Sequence, residues 1–278
     1  MLKPIFISTV VTYWAFLTYV FINSLFGHLP PWVLAGIGLT SVLPFGFFVV
    51  LLVLRPAART STHLATITVL IVAGVAITFF AVNENILGTT SQFLAVGSLA
   101  LWLVYLNWYS VIPRKQNDLV VRNLLPELDF IDDNNSPWST KEIKGKKLLL
   151  IFYRGNWCPL CMAQIKEISS QYHELEKRGV ETLLISPQPQ SHTASLAEKM
   201  KVNFRFLTDT GNAMARKLGI DHKYGTPLGM QVFGYKTETV MPTVIITNEK
   251  GEIIFVDQTD NYRVRPEPST FLEALDNQ

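Results

Sequence analysis

The chain has 278 residues, with 24 Lys and Arg against 22 Asp and Glu, a formal net charge of +2 and 49% apolar residues. So even a balance, with no basic patch, speaks against a nucleic-acid partner. The charge is nevertheless split in two. Up to Pro113 the only charged side chains are Lys3, Arg55, Arg59 and Glu84, and the other 21 basic and 21 acidic residues all follow from Arg114 onward.

Four uncharged apolar stretches fill the first part: Ile5–Phe26, Trp32–Leu54, Leu64–Val82 and Phe93–Ile112. Each reaches the roughly 20 residues that a helix needs to cross a hydrocarbon core about 30 Å thick. The spacing therefore predicts a four-span helical bundle over residues 1–113. The breaks fit: His28-Leu29-Pro30-Pro31 as a tight turn, Arg55-Pro56-Ala57-Ala58-Arg59 as a basic loop, and Asn83-Glu84-Asn85 as a polar one. Pro44 and Gly46 predict a kink in the second span. Asn23 and Asn107, the strongly polar residues within spans, are expected to bind helices to one another. With four spans, Lys3, Arg55, Arg59, Arg114 and Lys115 share one side, and the positive-inside rule places that side, with everything after Ile112, in the cytoplasm. The chain is then an integral protein of a plasma or inner membrane. This part holds no cysteine and no charged residue within a span, so neither thiol relay nor an ion path is built into it.

Residues 114–278 read as one α/β domain. Arg114–Leu128 is a linker, and Phe130–Ser139 a loop or hairpin. Lys147–Tyr153 is a continuous apolar run of strand length, and Met162–Lys177 a helix. Val180–Ser186 is a strand, Thr193–Met200 a helix, Phe204–Leu207 a short strand and Asp209–Leu218 a helix stopped by Gly219. An irregular Gly-rich stretch over His222–Thr239 leads to strands at Thr243–Thr247 and Glu252–Asp257, with a final helix over Thr270–Leu275. This order describes an α/β sandwich around a mixed sheet.

The chemistry centres on Trp157-Cys158-Pro159-Leu160-Cys161, which holds both cysteines of the chain. They fall at a strand-to-helix junction, where unpaired backbone N–H groups and the helix dipole favour a thiolate at Cys158. Two intervening residues let Cys161 resolve a mixed disulfide formed there. The alternatives are half of a zinc site, for which the scattered histidines offer no second ligand pair, and inert buried thiols.

The run Phe152-Tyr153-Arg154-Gly155-Asn156-Trp157-Cys158-Pro159-Leu160-Cys161, with Leu183-Leu184-Ile185-Ser186-Pro187-Gln188, Leu207-Thr208-Asp209 and Met241-Pro242-Thr243, resembles the thioredoxin superfamily. Within it the resemblance is to peroxiredoxin-like redoxins of the alkyl hydroperoxide reductase/thiol-specific antioxidant family. It covers about Asp118 to Leu275 and does not extend to the four-span part. It implies a thioredoxin-like fold, Cys158 as the nucleophilic or peroxidatic thiol, Cys161 as its resolving partner, and Pro242 as a cis-proline shaping the groove beside them. The alternative for Pro242 is a proline that simply leads a strand. Two departures accompany the resemblance. Gly155 stands where such proteins carry a Thr or Ser three residues before the peroxidatic cysteine, and Met241 stands at the position of their later-strand arginine. Arg154 is the candidate to supply that charge, with Arg263 and Arg265 behind it.

The function expected is a membrane-anchored thiol–disulfide oxidoreductase, with thiol-dependent peroxidase activity open to the same Cys-Pro-Leu-Cys pair. Its partners would be a peroxide or disulfide substrate, a thioredoxin-type or other dithiol reductant, and the lipid bilayer, with no cofactor and no nucleic acid. The alternative is a redox sensor whose dithiol domain regulates a membrane bundle that binds a partner or small molecule.

Overall fold

The computed structural model describes residues 2–54 and 58–277. Arg55, Pro56 and Ala57, part of the expected basic loop, lie outside the described residues. The chain divides into two compact units: Met1–Pro56 with Thr60–Val111, and Ala57–Arg59 with Ile112–Gln278.

The first unit is all helix: α1 (Leu2–Ser24), α2 (Pro31–Val53), α3 (Ala65–Asn83) and α4 (Thr90–Val104), the last continuing as a π-helical turn over Tyr105–Tyr109. With that turn included, the four are 23, 23, 19 and 20 residues long and apolar enough to cross a membrane. α2 runs unbroken through Pro44. Its contact with α3 is backbone to backbone: a Cβ placed on Gly74 would lie 2.7 Å from Leu39 Cβ and 2.9 Å from the Gly36 carbonyl oxygen. Such close approach is how apolar helices gain dispersion energy where water supplies no driving force.

The expected role of the asparagines is not what is found. Asn23 donates to the Tyr19 carbonyl of its own helix, and Asn107 to Leu103 of its own. Both side chains reach back one turn instead of across. The polar links between helices come from indoles and hydroxyls: Trp14 Nε1 donates to Ser98 Oγ at 2.9 Å, Ser98 Oγ to the Thr40 carbonyl, and Trp102 Nε1 to Thr68 Oγ1 at 3.0 Å. Trp14, Phe48, Trp102 and Tyr105 form the aromatic centre of this bundle.

The second unit is built on a seven-stranded mixed sheet. Its strands are β1 (Asp129–Asp132), β2 (Pro137–Ser139), β3 (Lys147–Phe152), β4 (Val180–Ser186), β5 (Arg205–Thr208), β8 (Thr243–Thr247) and β9 (Ile253–Asp257). The spatial order is β2-β1-β5-β4-β3-β8-β9, and β6 (Asp221–His222) pairs separately with β7 (Thr239–Val240). β3, β4 and β5 run parallel, whereas β8 returns antiparallel on the other side of β3. β3 is thus an interior strand between β4 and β8, and its continuous Leu148–Phe152 run is buried throughout.

The helices are α5 (Pro159–Ser170), α6 (Tyr172–Lys177), α7 (Gln190–Met200), α8 (Ala213–Lys217) and α9 (Pro268–Asp276). The single helix expected over 162–177 is broken at Gln171. Ser169 Oγ and Ser170 Oγ donate to the Ile165 and Glu167 carbonyls, competing with the backbone in the last turn of α5. The expected linker is also better ordered than its composition suggests. Arg122 and Leu125 donate backbone N–H bonds to Ile253 and Gly251, so the segment lies along the start of β9.

Leu150 lies at the centre of this core, with Leu183 and Ile245 as its cross-strand partners. Leu150→Ala should lower stability by about 2–5 kcal/mol, as truncation in a core that cannot collapse does. Denaturant titration of the purified chain, followed on the second unit, measures this. A loss under about 1 kcal/mol would contradict the buried, interior placement of β3.

Candidate active site

β3 ends at Phe152, and the chain reaches α5 through six residues. Pro159 takes the first helical position, where its missing N–H costs nothing, and Cys158 is the N-cap. Gly155 adopts φ +141°, and a Cβ there would lie 2.8 Å from Trp157 Nε1 and 3.2 Å from Tyr235 Cε1. A side chain in place of Gly155 would therefore meet both backbone strain and the indole. Below the turn, Tyr153, Gln188, Thr193 and Thr208 form a buried hydrogen-bonded chain, and Gln188 Oε1 also accepts the Asn156 backbone N–H at 2.9 Å. This network holds the turn from beneath, tying it to the end of β4 and the start of α7.

The two cysteines are free thiols whose sulfurs lie 2.7 Å apart, and both are at most 1% exposed. Their polar surroundings differ. Arg265 Nη2 sits 3.3 Å from Cys161 Sγ, while Arg265 Nη1 donates to Gln164 Oε1 at 2.6 Å. Gln164 lies one turn beyond Cys161 on α5 and is itself buried. Burial opposes ionisation of Cys161, but the hydrogen bond from Cys158, the Arg265 charge, the Arg154 backbone amide and the Arg154 charge together bring its pKa down to about 5. Burial pushes the Cys158 thiol well above the ordinary range, and the hydrogen bond and charge of Cys161 push it further. Both shifts favour a thiolate at Cys161, three residues inside the turn, over one at the N-cap Cys158, where helix-end arguments alone place it.

Arg154 is buried. Its guanidinium lies 4.7 Å from the centre of the Trp157 ring and 5.1 Å from that of Tyr262, and Nη2 donates to the Gly225 carbonyl. Its charge favours the ionised form of both thiols. Of the three arginines considered from sequence, the one against the sulfur is Arg265, on the loop between β9 and α9. Position 241, where the family comparison placed the charge, is a buried Met whose N–H donates to Ile220. Arg263 is fully buried on the same loop. With the thiolate at Cys161, the residue three positions before it is Cys158 instead of Gly155, so the second thiol stands where a hydroxyl was sought.

Pro242 is corrected in one respect. No peptide bond among the described residues is cis, so the Met241–Pro242 bond is trans and the proline leads β8. Its missing N–H falls ahead of the ladder, where no partner is required. Its carbonyl instead accepts Arg114 Nη2 at 2.5 Å, and Arg114 also holds Thr243 Oγ1 and the Thr259 carbonyl. Gln188 closes the Leu183–Gln188 run of the resemblance, whereas Arg114 and Gln164 carried no motif in the sequence. Of these two, only Gln164 had a signal, its position one helical turn after Cys161. Among the described residues no group of three or more His, Cys, Asp or Glu side chains is placed to hold a metal ion.

A buried dithiol at a strand-to-helix turn, with an arginine against one sulfur and a mixed sheet behind it, defines a thiol-dependent oxidoreductase of thioredoxin-like architecture. Residues 121–256 match the AhpC/TSA family. The chain is 26% identical over 159 residues to "Putative peroxiredoxin bcp" of Haemophilus influenzae, covering 57% of this chain and 97% of that protein. It is 30% identical over 136 residues to the chloroplastic peroxiredoxin Q of Populus jackii, covering 48% of this chain and 63% of the relative. To the chloroplastic peroxiredoxin Q of Gentiana triflora it is 31% identical over 110 residues, 39% of this chain and 50% of that one. The chain thus spans between half and two thirds of these chloroplast relatives. Among solved structures, the peroxidoxin BcpB of Mycobacterium tuberculosis aligns with a TM-score of 0.48 and 16% identity over 56% of this chain and 96% of its own. The second unit is thus similar over residues 121–256 to proteins of the AhpC/TSA family, and its class of activity is thiol peroxidase or thiol oxidoreductase.

The charge arrangement carries a pH signature. Cys161 should ionise with a midpoint near pH 5 and be thiolate at neutral pH. Thiolate absorbance near 240 nm, titrated in the full chain, reads this directly. Arg265→Met should move the midpoint upward by removing a charge that favours the ionised form. An unchanged midpoint would mean that Arg265 does not support the thiolate.

Proposed function

We propose that the second unit reduces peroxides with Cys161 as the attacking thiolate and Cys158 as the resolving thiol, and that the four apolar helices hold it at a membrane. The observation that carries this is the Arg265 guanidinium against Cys161 Sγ. Cys161 sulfur attacks one peroxide oxygen, the O–O bond breaks, and the other oxygen leaves as alcohol or water after taking a proton. Positive charge at Arg265 and Arg154 suits an attack in which negative charge passes from sulfur to the leaving oxygen. The Cys161 sulfenic acid is then attacked by Cys158 sulfur, water leaves, and the disulfide forms. An external dithiol of thioredoxin type returns the pair to thiols by two exchange steps. Disulfide substrates would enter the same cycle at the exchange stage.

Peroxide turnover by the purified chain with an external dithiol reductant tests this. Cys161→Ser should abolish turnover, and Cys158→Ser should retain the first step, visible as a sulfenic acid trapped at Cys161. Arg265→Met should lose about 10²-fold in rate, the usual effect of removing one positioned donor. Turnover that survives Cys161→Ser but not Cys158→Ser would restore the opposite assignment. Stoichiometric oxidation without turnover would support the sensor.

The same proposal places the second unit in the cytoplasm, following the basic residues beside the spans. A reporter fused after Gln278 should be active only in its cytoplasmic form. Activity of an export-dependent reporter would reverse the orientation.

A further inference from the structure

We propose that the loop between β6 and β7, residues 223–238, enters the headgroup region of a bilayer, so that the second unit meets lipid through its own surface. This rests on the reading that the four apolar helices enter a membrane. The observation specific to it is the way the loop turns its side chains. Tyr224, Leu228, Val232 and Phe233 are exposed, Val232 at 86%. Their backbone, by contrast, is paired. The Met230, Val232 and Gly234 N–H groups donate to the Pro227, Gly229 and Gln231 carbonyls, and the Phe233 carbonyl accepts from His192 Nε2 at 2.9 Å. Backbone satisfied in this way can approach an apolar medium at little cost.

The base of the loop is fixed. Thr226 N–H donates to the Thr237 carbonyl at 3.2 Å, Arg154 Nη2 donates to the Gly225 carbonyl, and the Tyr235 ring stacks on His192 with ring centres 4.8 Å apart. The exposed apolar side chains are therefore held out by a built turn.

Charge selects lipid as the occupant. Between Asp221 and Glu238 there is no acidic residue, and the exposed Lys223 and Lys236 stand at the two ends of the apolar stretch. Aromatic and aliphatic side chains bracketed by lysines suit an anionic bilayer surface, where rings lie among acyl chains and ammonium groups reach phosphate. The path of the chain agrees. It passes between the units at residues 59–60 and 111–112. Within the second unit, Arg59 donates to the Arg265 and Pro266 carbonyls, and Ile112 N–H to the Asp260 carbonyl. Those partners belong to the loop after β9, whose Tyr262 ring lies against the Arg154 guanidinium that holds Gly225. The segments that run on to the apolar helices thus leave this unit from the end that carries the β6–β7 loop.

The test uses the full chain in proteoliposomes of phosphatidylcholine and phosphatidylglycerol that carry a diazirine phospholipid reactive near the headgroup. After illumination, lipid adducts are located by peptide mass spectrometry. Trypsin cleavage after Lys223 and Lys236 isolates residues 224–236. Adducts are expected on this peptide and on peptides of the apolar helices. Val232→Asp combined with Phe233→Asp should lower the yield on residues 224–236 at least about tenfold relative to the helices, because two apolar side chains are withdrawn from lipid. Val232→Ser combined with Phe233→Ser serves if the first variant folds poorly. Adducts on the helices but not on residues 224–236 overturn the lipid contact and leave the anchoring standing; the loop then meets water, a second copy or another protein. A yield that neither variant changes overturns the contact equally. Adducts on neither the helices nor the loop overturn both the contact and the anchoring.

Discussion

A guanidinium buried beside a sulfur is the interaction on which the second unit depends. Arg265 is withdrawn from water, which alone would lower its pKa, yet the charges of Cys161 and Cys158 raise it. Desolvating such a pair is costly, and it is tolerated only when the remaining donors are satisfied. They are: Gln164 Oε1 and the Tyr262 carbonyl take two of the Arg265 N–H groups, leaving Nη2 for Cys161. The ion pair therefore requires two separated pieces of chain, the first turns of α5 and the loop after β9. Much of the polar structure nearby serves to keep those pieces in place. Arg59, which belongs to this unit, donates to the Arg265 and Pro266 carbonyls and pairs with Glu167 at 2.5 Å.

The polarity of the dithiol follows from the same arrangement. Both cysteines are near the N-terminal end of α5, so the helix end by itself distinguishes them poorly. The Arg265 guanidinium against Cys161, and a thiol neighbour that donates to it, break the tie. The outcome is an ionised sulfur held by charge and a neutral sulfur raised by burial, 2.7 Å apart. Under the proposed function, the attacking sulfur is the one deeper in the turn and the resolving sulfur is the one at the N-cap.

The first unit solves a different problem with a different currency of residues. Its helices carry almost no charge, so association rests on small residues that let backbones approach and on a few satisfied hydroxyls and indoles. Gly36 and Gly74 do the first, and Thr40, Ser98 and Thr68 the second. With no cysteine among its residues, this unit has no thiol with which to carry electrons for the other.

The elements were legible because each is written locally. Uniform apolar stretches of about 20 residues mark candidate spans. The buried runs of β3, β4 and β8, with Gly and Pro punctuation between them, mark a parallel-centred sheet, and the spacing Cys-Pro-Leu-Cys after a strand marks a dithiol. The break at Gln171, by contrast, arises from serine side chains competing within one turn, which a 3.6-residue period does not register. The backbone of Pro242 was likewise not legible, because the family likeness suggested a cis bond where the chain is trans and Arg114 takes the carbonyl. Above all, nothing local tells Cys158 from Cys161. That choice belongs to Arg265, more than a hundred residues away in the chain, and to Arg154 folded beneath two aromatic rings. The residues alone determined that there is a dithiol at a helix start. Only the tertiary structure decided which sulfur bears the charge, because a pKa depends on what is brought next to a group and on how completely water is removed from it.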